Sequence, residues 1–82
     1  MTLPVSHYLD VYKLRQSMAR NGVTRPNEEG RRLIDRLVER LSDLDPGMPC
    51  DLKHLPAPGG EWIAFIAGGN EVARIWVAES DG

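Results

Sequence analysis

One thiol and two imidazoles are the groups in this 82-residue chain best suited to nucleophilic or metal chemistry. Cys50, Asp51 and His54 fall within five positions, and His7 stands apart. A Cys-His pair serves nucleophilic catalysis when the thiol pKa is depressed and a third group orients the base. At i and i+4 the two side chains would share a helical face, but Pro49, Pro56 and Pro58 argue against a helix there. A zinc site needs about four ligands, more than one Cys and two His supply. Cys50 therefore reads as an unreactive, partly buried thiol. Asp43 and Asp45 flank a helix end, where Asp45-Pro46 is turn chemistry. Gly59-Gly60 and Gly68-Gly69 serve turns, since no phosphate-loop spacing follows a strand into a helix. The expectation is no catalytic residue, no metal and no cofactor.

Cations and aromatics give two further candidate sites. Eight of the ten basic residues are Arg. Arg32, Arg36 and Arg40 recur on one helical line, with Arg25 and Arg31 nearby. Such a stripe can track phosphates or stack on bases. Glu28, Asp35, Glu39 and Asp43 interleave with it, which is the pattern of a solvated helix face. No cluster of amide or hydroxyl side chains opens this helix to read base edges. The other candidate is Trp62, Arg74 and Trp76, with Tyr8 and Tyr12 as a second aromatic pair. Trp and Arg dominate protein interfaces, and Arg stacks on indole.

These side chains must be positioned by two helices and a β-meander. Pro4 to Arg20 reads as a helix, capped by Thr2 or Ser6 and ended by Asn21-Gly22. It carries two apolar stripes: Val5, Leu9 and Tyr12 with Tyr8, and Val11, Leu14 and Met18. The width of that apolar face predicts a helix sandwiched between layers or partly exposed to a partner. The second helix runs from Asn27 to Leu44, with Glu28 and Glu29 favoured by the helix dipole in its first turn. Leu33, Ile34, Leu37, Val38, Leu41 and Leu44 form its apolar arc, and Asp45-Pro46-Gly47 stops it. A short edge strand is expected at Cys50 to Leu55. Glu61 to Ala67 and Glu71 to Ala78 flank Gly68-Gly69-Asn70 as a hairpin.

The fold class is thus α+β: an antiparallel helical hairpin on a small two- or three-stranded antiparallel meander, in one domain over residues 1–82. If three residues form the loop, Ile63, Phe65, Ala67, Ala73, Ile75 and Val77 share an apolar face that meets the helices. Trp62, Ala64, Ile66, Val72, Arg74 and Trp76 then share the other. A loop of different length changes this pairing. Two layers cover one sheet face. The tryptophans are left to be wrapped by the chain itself, by a second copy, or by a foreign protein.

Length and composition bound the function. At 9.2 kDa, a folded surface of roughly 4,900 Å² against roughly 13,300 Å² unfolded buries about 63% of the chain. That is one modest core. The net charge is −2, of the wrong sign for a strongly basic nucleic-acid binder and too small for a nucleic-acid mimic. Residues 1–45 carry net +1 and residues 46–82 net −3. No apolar run reaches the roughly 20 residues that span a bilayer. The start, Met1 to His7, has neither the basic opening nor the apolar stretch of a signal peptide, and one cysteine makes no internal disulfide. Cytoplasmic residence is the expectation. The Arg, Ala, Gly and Pro bias is that of GC-rich coding, as in a GC-rich bacterium or its phage. In size, acidity and lack of a catalytic set, the chain resembles small phage-encoded inhibitors such as anti-CRISPR proteins, and small bacterial regulatory partners. The likeness is one of type and covers no motif. The sequence reading is a non-enzymatic module that docks on a larger protein, with homodimerisation through the same face as a variant. The alternative is a nucleic-acid-associated regulator using Arg25, Arg32, Arg36 and Arg40.

Overall fold

Asn27 opens the most strongly patterned element, its side chain accepting a hydrogen bond from the Gly30 N–H at 2.7 Å. This satisfies one of the free N–H groups at the start of α2 (Glu28–Ser42). Arg32 reaches back to Glu28 at 2.9 Å, the i,i+4 order that suits the dipole. Leu37 and Leu41 are completely buried, with Val38 beside them.

The computed structural model describes residues 2–79. Two helices and four strands follow the order β1 (Leu3–Pro4), α1 (Val5–Arg20), α2, β2 (Pro49–Ala57), β3 (Gly60–Ala67) and β4 (Asn70–Ala78). The α+β class is as expected, and the meander is larger: one antiparallel sheet of order β1-β2-β3-β4.

The N-terminus of α1 corrects the expected caps. Pro4 is the N-cap and no side chain caps the helix. The Val5 and Ser6 N–H groups instead donate to the carbonyls of Met48 and Pro46, at 2.9 and 3.0 Å. The loop before β2 does the work a capping side chain would otherwise do. Thr2 spends its hydroxyl on Asp51 at 2.5 Å, which ties β1 to β2. At the other end Asn21-Gly22 closes the helix as expected. The Val23 N–H donates to the Met18 carbonyl at 2.9 Å and the Gly22 N–H to that of Ala19 at 3.3 Å.

β2 is longer than the expected Cys50–Leu55 and includes two prolines. Pro49 pairs with Pro4, and Pro56 lies opposite Glu61. β1 covers only Pro49 and Cys50, so residues 51–57 form an open edge. A missing N–H is tolerated at such an edge because no ladder bond is lost.

The hairpin turn has two residues, not three. Gly68 and Gly69 both have positive φ (62° and 80°), as a tight turn between twisted strands requires. The register then shifts between Phe65 and Ile66: Ile66 faces Glu71, while Phe65 faces Ala73. Val72 is the extra residue of a β-bulge. The shorter turn and the bulge compensate, so Trp62 lies opposite Trp76 and Ile63 opposite Ile75. The face assignment beyond the bulge survives for a different reason. Val72 is corrected: it packs with the core cluster instead of joining the tryptophans.

The core is Val5, Leu37, Leu41, Cys50, Phe65, Ala67 and Ile75. α2 lies along β4 and α1 packs beside it. Tyr8 and Tyr12 each meet Phe65 edge-on at 5.6 Å. The second stripe of α1 is left outside, with Val11 and Leu14 exposed. The molecule measures 33 × 30 × 19 Å. Its accessible surface is 5,705 Å², against roughly 4,900 Å² expected for its mass.

Candidate functional site

The bare face is ordered in rows, because residues opposite one another in antiparallel strands project to the same side. Asp51, Ile66 and Glu71 form the first row; Lys53, Ala64 and Arg74 the second. Leu55, Trp62 and Trp76 form the third, and Ala57, Gly60 and Ala78 the fourth. Carboxylates, cations and indoles thus succeed one another in rows roughly 7 Å apart.

Trp62 and Trp76 are half-buried and touch, with ring centroids 5.3 Å apart and planes inclined by 61°. The Arg74 guanidinium lies 5.9 Å from the Trp62 ring centroid, within cation–π range. Gly60 makes room for Trp76: a Cβ there would lie 2.9 Å from the indole and 2.2 Å from the Val77 carbonyl. Ala64 is small enough to be covered completely by its neighbours.

The bulge determines which charge accompanies Arg74. Residues three apart on a regular strand face opposite ways. The extra residue Val72 reverses that parity, so Glu71 joins Arg74 on the bare face. Arg74 donates to both Glu71 carboxylate oxygens, at 2.6 and 3.2 Å. That hydrogen bonding is the main cause holding the Glu71 carboxyl below its ordinary range; the charges of Arg74 and Lys53 add to it. The same contact raises the Arg74 pKa.

A groove of about 350 Å³ runs from this face around β4 to α2. Leu33, Arg36 and Arg40 of α2 form one wall, and Trp62, Val72 and Arg74 stand on the sheet side. It continues past Arg40 and Val72 to Asp43 and Leu44. The fold therefore brings two members of the expected Arg stripe, Arg36 and Arg40, to the same groove as Trp62 and Arg74. Arg25 and Arg32 do not line it. Arg25 is exposed between the helices, and Arg32 is paired with Glu28. The stripe Leu33, Arg36, Arg40 and Leu44 follows helical spacing and was available in the sequence. Its destination beside β4 was not.

Tyr8 and Tyr12 are not part of this site. They pack on Phe65 on the helix side of the sheet, and burial raises both phenol pKa values.

The Cys50 region has no catalytic geometry. Cys50 is completely buried on the helix side, and its pKa is raised by burial and secondarily by Asp51. Asp51 projects to the opposite side. His54 is exposed, with Nδ1 3.3 Å from a Glu61 carboxylate oxygen. Four residue steps along the strand place Cys50 and His54 roughly 13 Å apart, beyond any hydrogen bond. Among the described residues, no group of three or more His, Cys, Asp or Glu side chains is placed to hold a metal ion. No described helix is long and apolar enough to cross a membrane. Comparison with known proteins matched no family model, no curated protein and no solved structure.

Proposed function

We propose that the chain is a non-enzymatic protein-binding module that docks on a larger protein through Trp62, Arg74 and Trp76. One observation carries this reading: two touching indoles and an arginine lie half-covered on a sheet face over which no described helix packs. A four-stranded sheet with helices on one side leaves that face to solvent or to a partner. Trp and Arg at the centre of such a patch are the residues that most often anchor protein interfaces. The wider reading is a small cytoplasmic inhibitor or regulator of bacterial or phage origin. It rests on size, acidity and the lack of a catalytic set.

A second reading, nucleic-acid regulation through Arg36 and Arg40, is favoured by one fact. Neither arginine takes part in an ion pair among the described residues. Titration of a captured partner against wild type, Trp76→Ala, Arg74→Ala, Arg36→Ala and Arg40→Ala separates the two. On the first reading Trp76→Ala and Arg74→Ala weaken binding most, and melting temperatures measured in parallel exclude unfolding as the cause. A nucleic-acid partner released with a steep salt slope, and lost only with Arg36 and Arg40, establishes the second.

A further inference from the structure

We infer that the groove between α2 and β4 receives an extended, acidic segment of the partner protein, added as a fifth strand to the free edge of β4. The inference rests on the docking reading above and gives the partner its chemistry. β4 (Asn70–Ala78) is the last strand of the sheet and pairs only with β3. Every second N–H and C=O of an antiparallel edge strand points away from its neighbour. Apart from the ladder with β3, no backbone hydrogen bond runs from Asn70–Ala78 to another element among the described residues. The bulge at Val72 is confined to the start of this edge; from Ala73 to Ala78 the strand is regular and contains no proline and no lysine. The opposite edge differs, because β2 carries Pro56 and Lys53 and is shielded at one end by β1.

The groove decides the occupant. A strand laid along β4 alternates its side chains between the two sides of the sheet. On one side they meet Leu33, Arg36 and Arg40; on the other, Arg74 and Trp76. The groove wall holds three arginines against the single carboxylate of Glu71, which Arg74 already neutralises. Arg36 and Arg40 are exposed and take part in no ion pair. Carboxylates on the helix side of an incoming strand find two unused guanidinium groups, while apolar residues on the other side find the indole of Trp76. Asp43 stands at the far end of the groove and disfavours a carboxylate there. A second copy suits the site less well: pairing β4 on its own two-fold at Arg74 sets two arginines against each other.

The probe is a terminally blocked octapeptide of alternating Glu and Val, with its Lys-Val counterpart and a Glu-Val version N-methylated at every second residue. Binding is followed by amide chemical shifts of the full chain. The Glu-Val peptide is expected to bind about tenfold tighter than the Lys-Val peptide at low salt, with perturbations concentrated on Asn70–Ala78. The double variant Arg36→Glu with Arg40→Glu, both on the exposed face of α2, reverses that order. N-methylation abolishes binding, because strand addition uses main-chain hydrogen bonds. Equal binding of the methylated peptide, equal binding of the Lys-Val peptide, or perturbation along β2 overturns the inference. So does a free protein that sediments as a dimer with β4 amides protected, or a single-stranded oligonucleotide that displaces the Glu-Val peptide while perturbing α2 alone. The docking reading fails separately, when Trp76→Ala and Arg74→Ala leave partner capture unchanged whatever the peptides do.

Discussion

The two faces of this sheet alternate along the same strands, yet they have opposite fates. On the helix side, Phe65, Ala67 and Ile75 lie under Leu37, Leu41 and the tyrosines of α1. That face carries apolar side chains that fit a helical arc of matching width. On the other side the residues are larger and mixed: Trp62 and Trp76 beside Arg74, Lys53, Asp51 and Glu71. A second helix layer there would have to desolvate four charged groups, which is costly unless each is paired. The chain instead leaves the indoles against each other and in partial contact with water. The contrast teaches that burial here follows the charge pattern of a face more than its aromatic content.

The largest expected effect tests the helix-covered side. Leu37 is fully buried, and Leu37→Ala is expected to cost about 2–5 kcal/mol, read as a fall in melting temperature. Trp76→Ala is expected to cost less, because its ring is only half-buried. Equal losses would mean that the bare face is structural core.

What was legible follows the same division. α2 was readable because cap, dipole and apolar arc agree at Asn27, Glu28 and Leu37, so local and tertiary preferences coincide. The helix-side face was readable because Ile63, Phe65 and Ile75 alternate without interruption. Three features were not. Pro49 and Pro56 read as breakers; Pro56 is tolerable because it lies on the open edge of β2, and Pro49 because it is the first residue of the strand, opposite another proline, Pro4. β1 is two residues long, too short for any periodicity. The bulge at Val72 leaves no composition signal, since the chain passes from Glu71 to Val72 to Ala73 as any strand does. With the bulge went the position of Glu71, the pairing with Arg74 and the groove toward α2. Each depends on a one-residue shift that alternation alone cannot register.

A second prediction acts at the seam between the faces. Gly60→Ala places a methyl 2.2 Å from the Val77 carbonyl and 2.9 Å from Trp76. Overpacking of this kind typically costs about 1–3 kcal/mol. A shifted Trp emission accompanying the loss would show that Trp76 moves. A melt unchanged from wild type would show that the end of the hairpin yields freely.

Cys50 gives the third. The thiol is buried in the core, its one polar contact the Asp51 carbonyl at 3.9 Å, and a serine hydroxyl there is more costly to desolvate. Cys50→Ser is expected to cost about 1–3 kcal/mol while partner binding of the folded fraction is unchanged. Loss of function with the fold intact, seen by circular dichroism, would return the thiol to the list of chemical groups. Stability should also decline at alkaline pH. The raised pKa values of Cys50, Tyr8 and Tyr12 mean that the folded state holds protons the unfolded chain releases first. Stability is complete below the ordinary Cys value of 9.0 and is lost as pH rises through the folded values. Cys50→Ala should delay the onset of that decline toward the Tyr range.

The smallest expected effect is the most local, and it tests whether the bulge organises the bare face. Glu71 and Arg74 share that face only because Val72 is inserted between them. Their pair is exposed, so Glu71→Gln should leave the melting temperature unchanged within error. The geometry around Trp62 should respond instead, since the guanidinium held by Glu71 is the one 5.9 Å from the indole centroid. The Glu71 carboxyl titrates below its ordinary 4.5. The pair is therefore intact above that value and is lost as pH falls through the lowered one. An acid titration of Trp emission should show a limb with its midpoint below 4.5 that is absent in Glu71→Gln and in Arg74→Ala, while Arg36→Ala retains it. A midpoint at the ordinary value, or a limb that survives both substitutions, would mean that Arg74 holds its place over Trp62 without the carboxylate. The bulge would then shape the backbone of β4 and leave the indole site untouched.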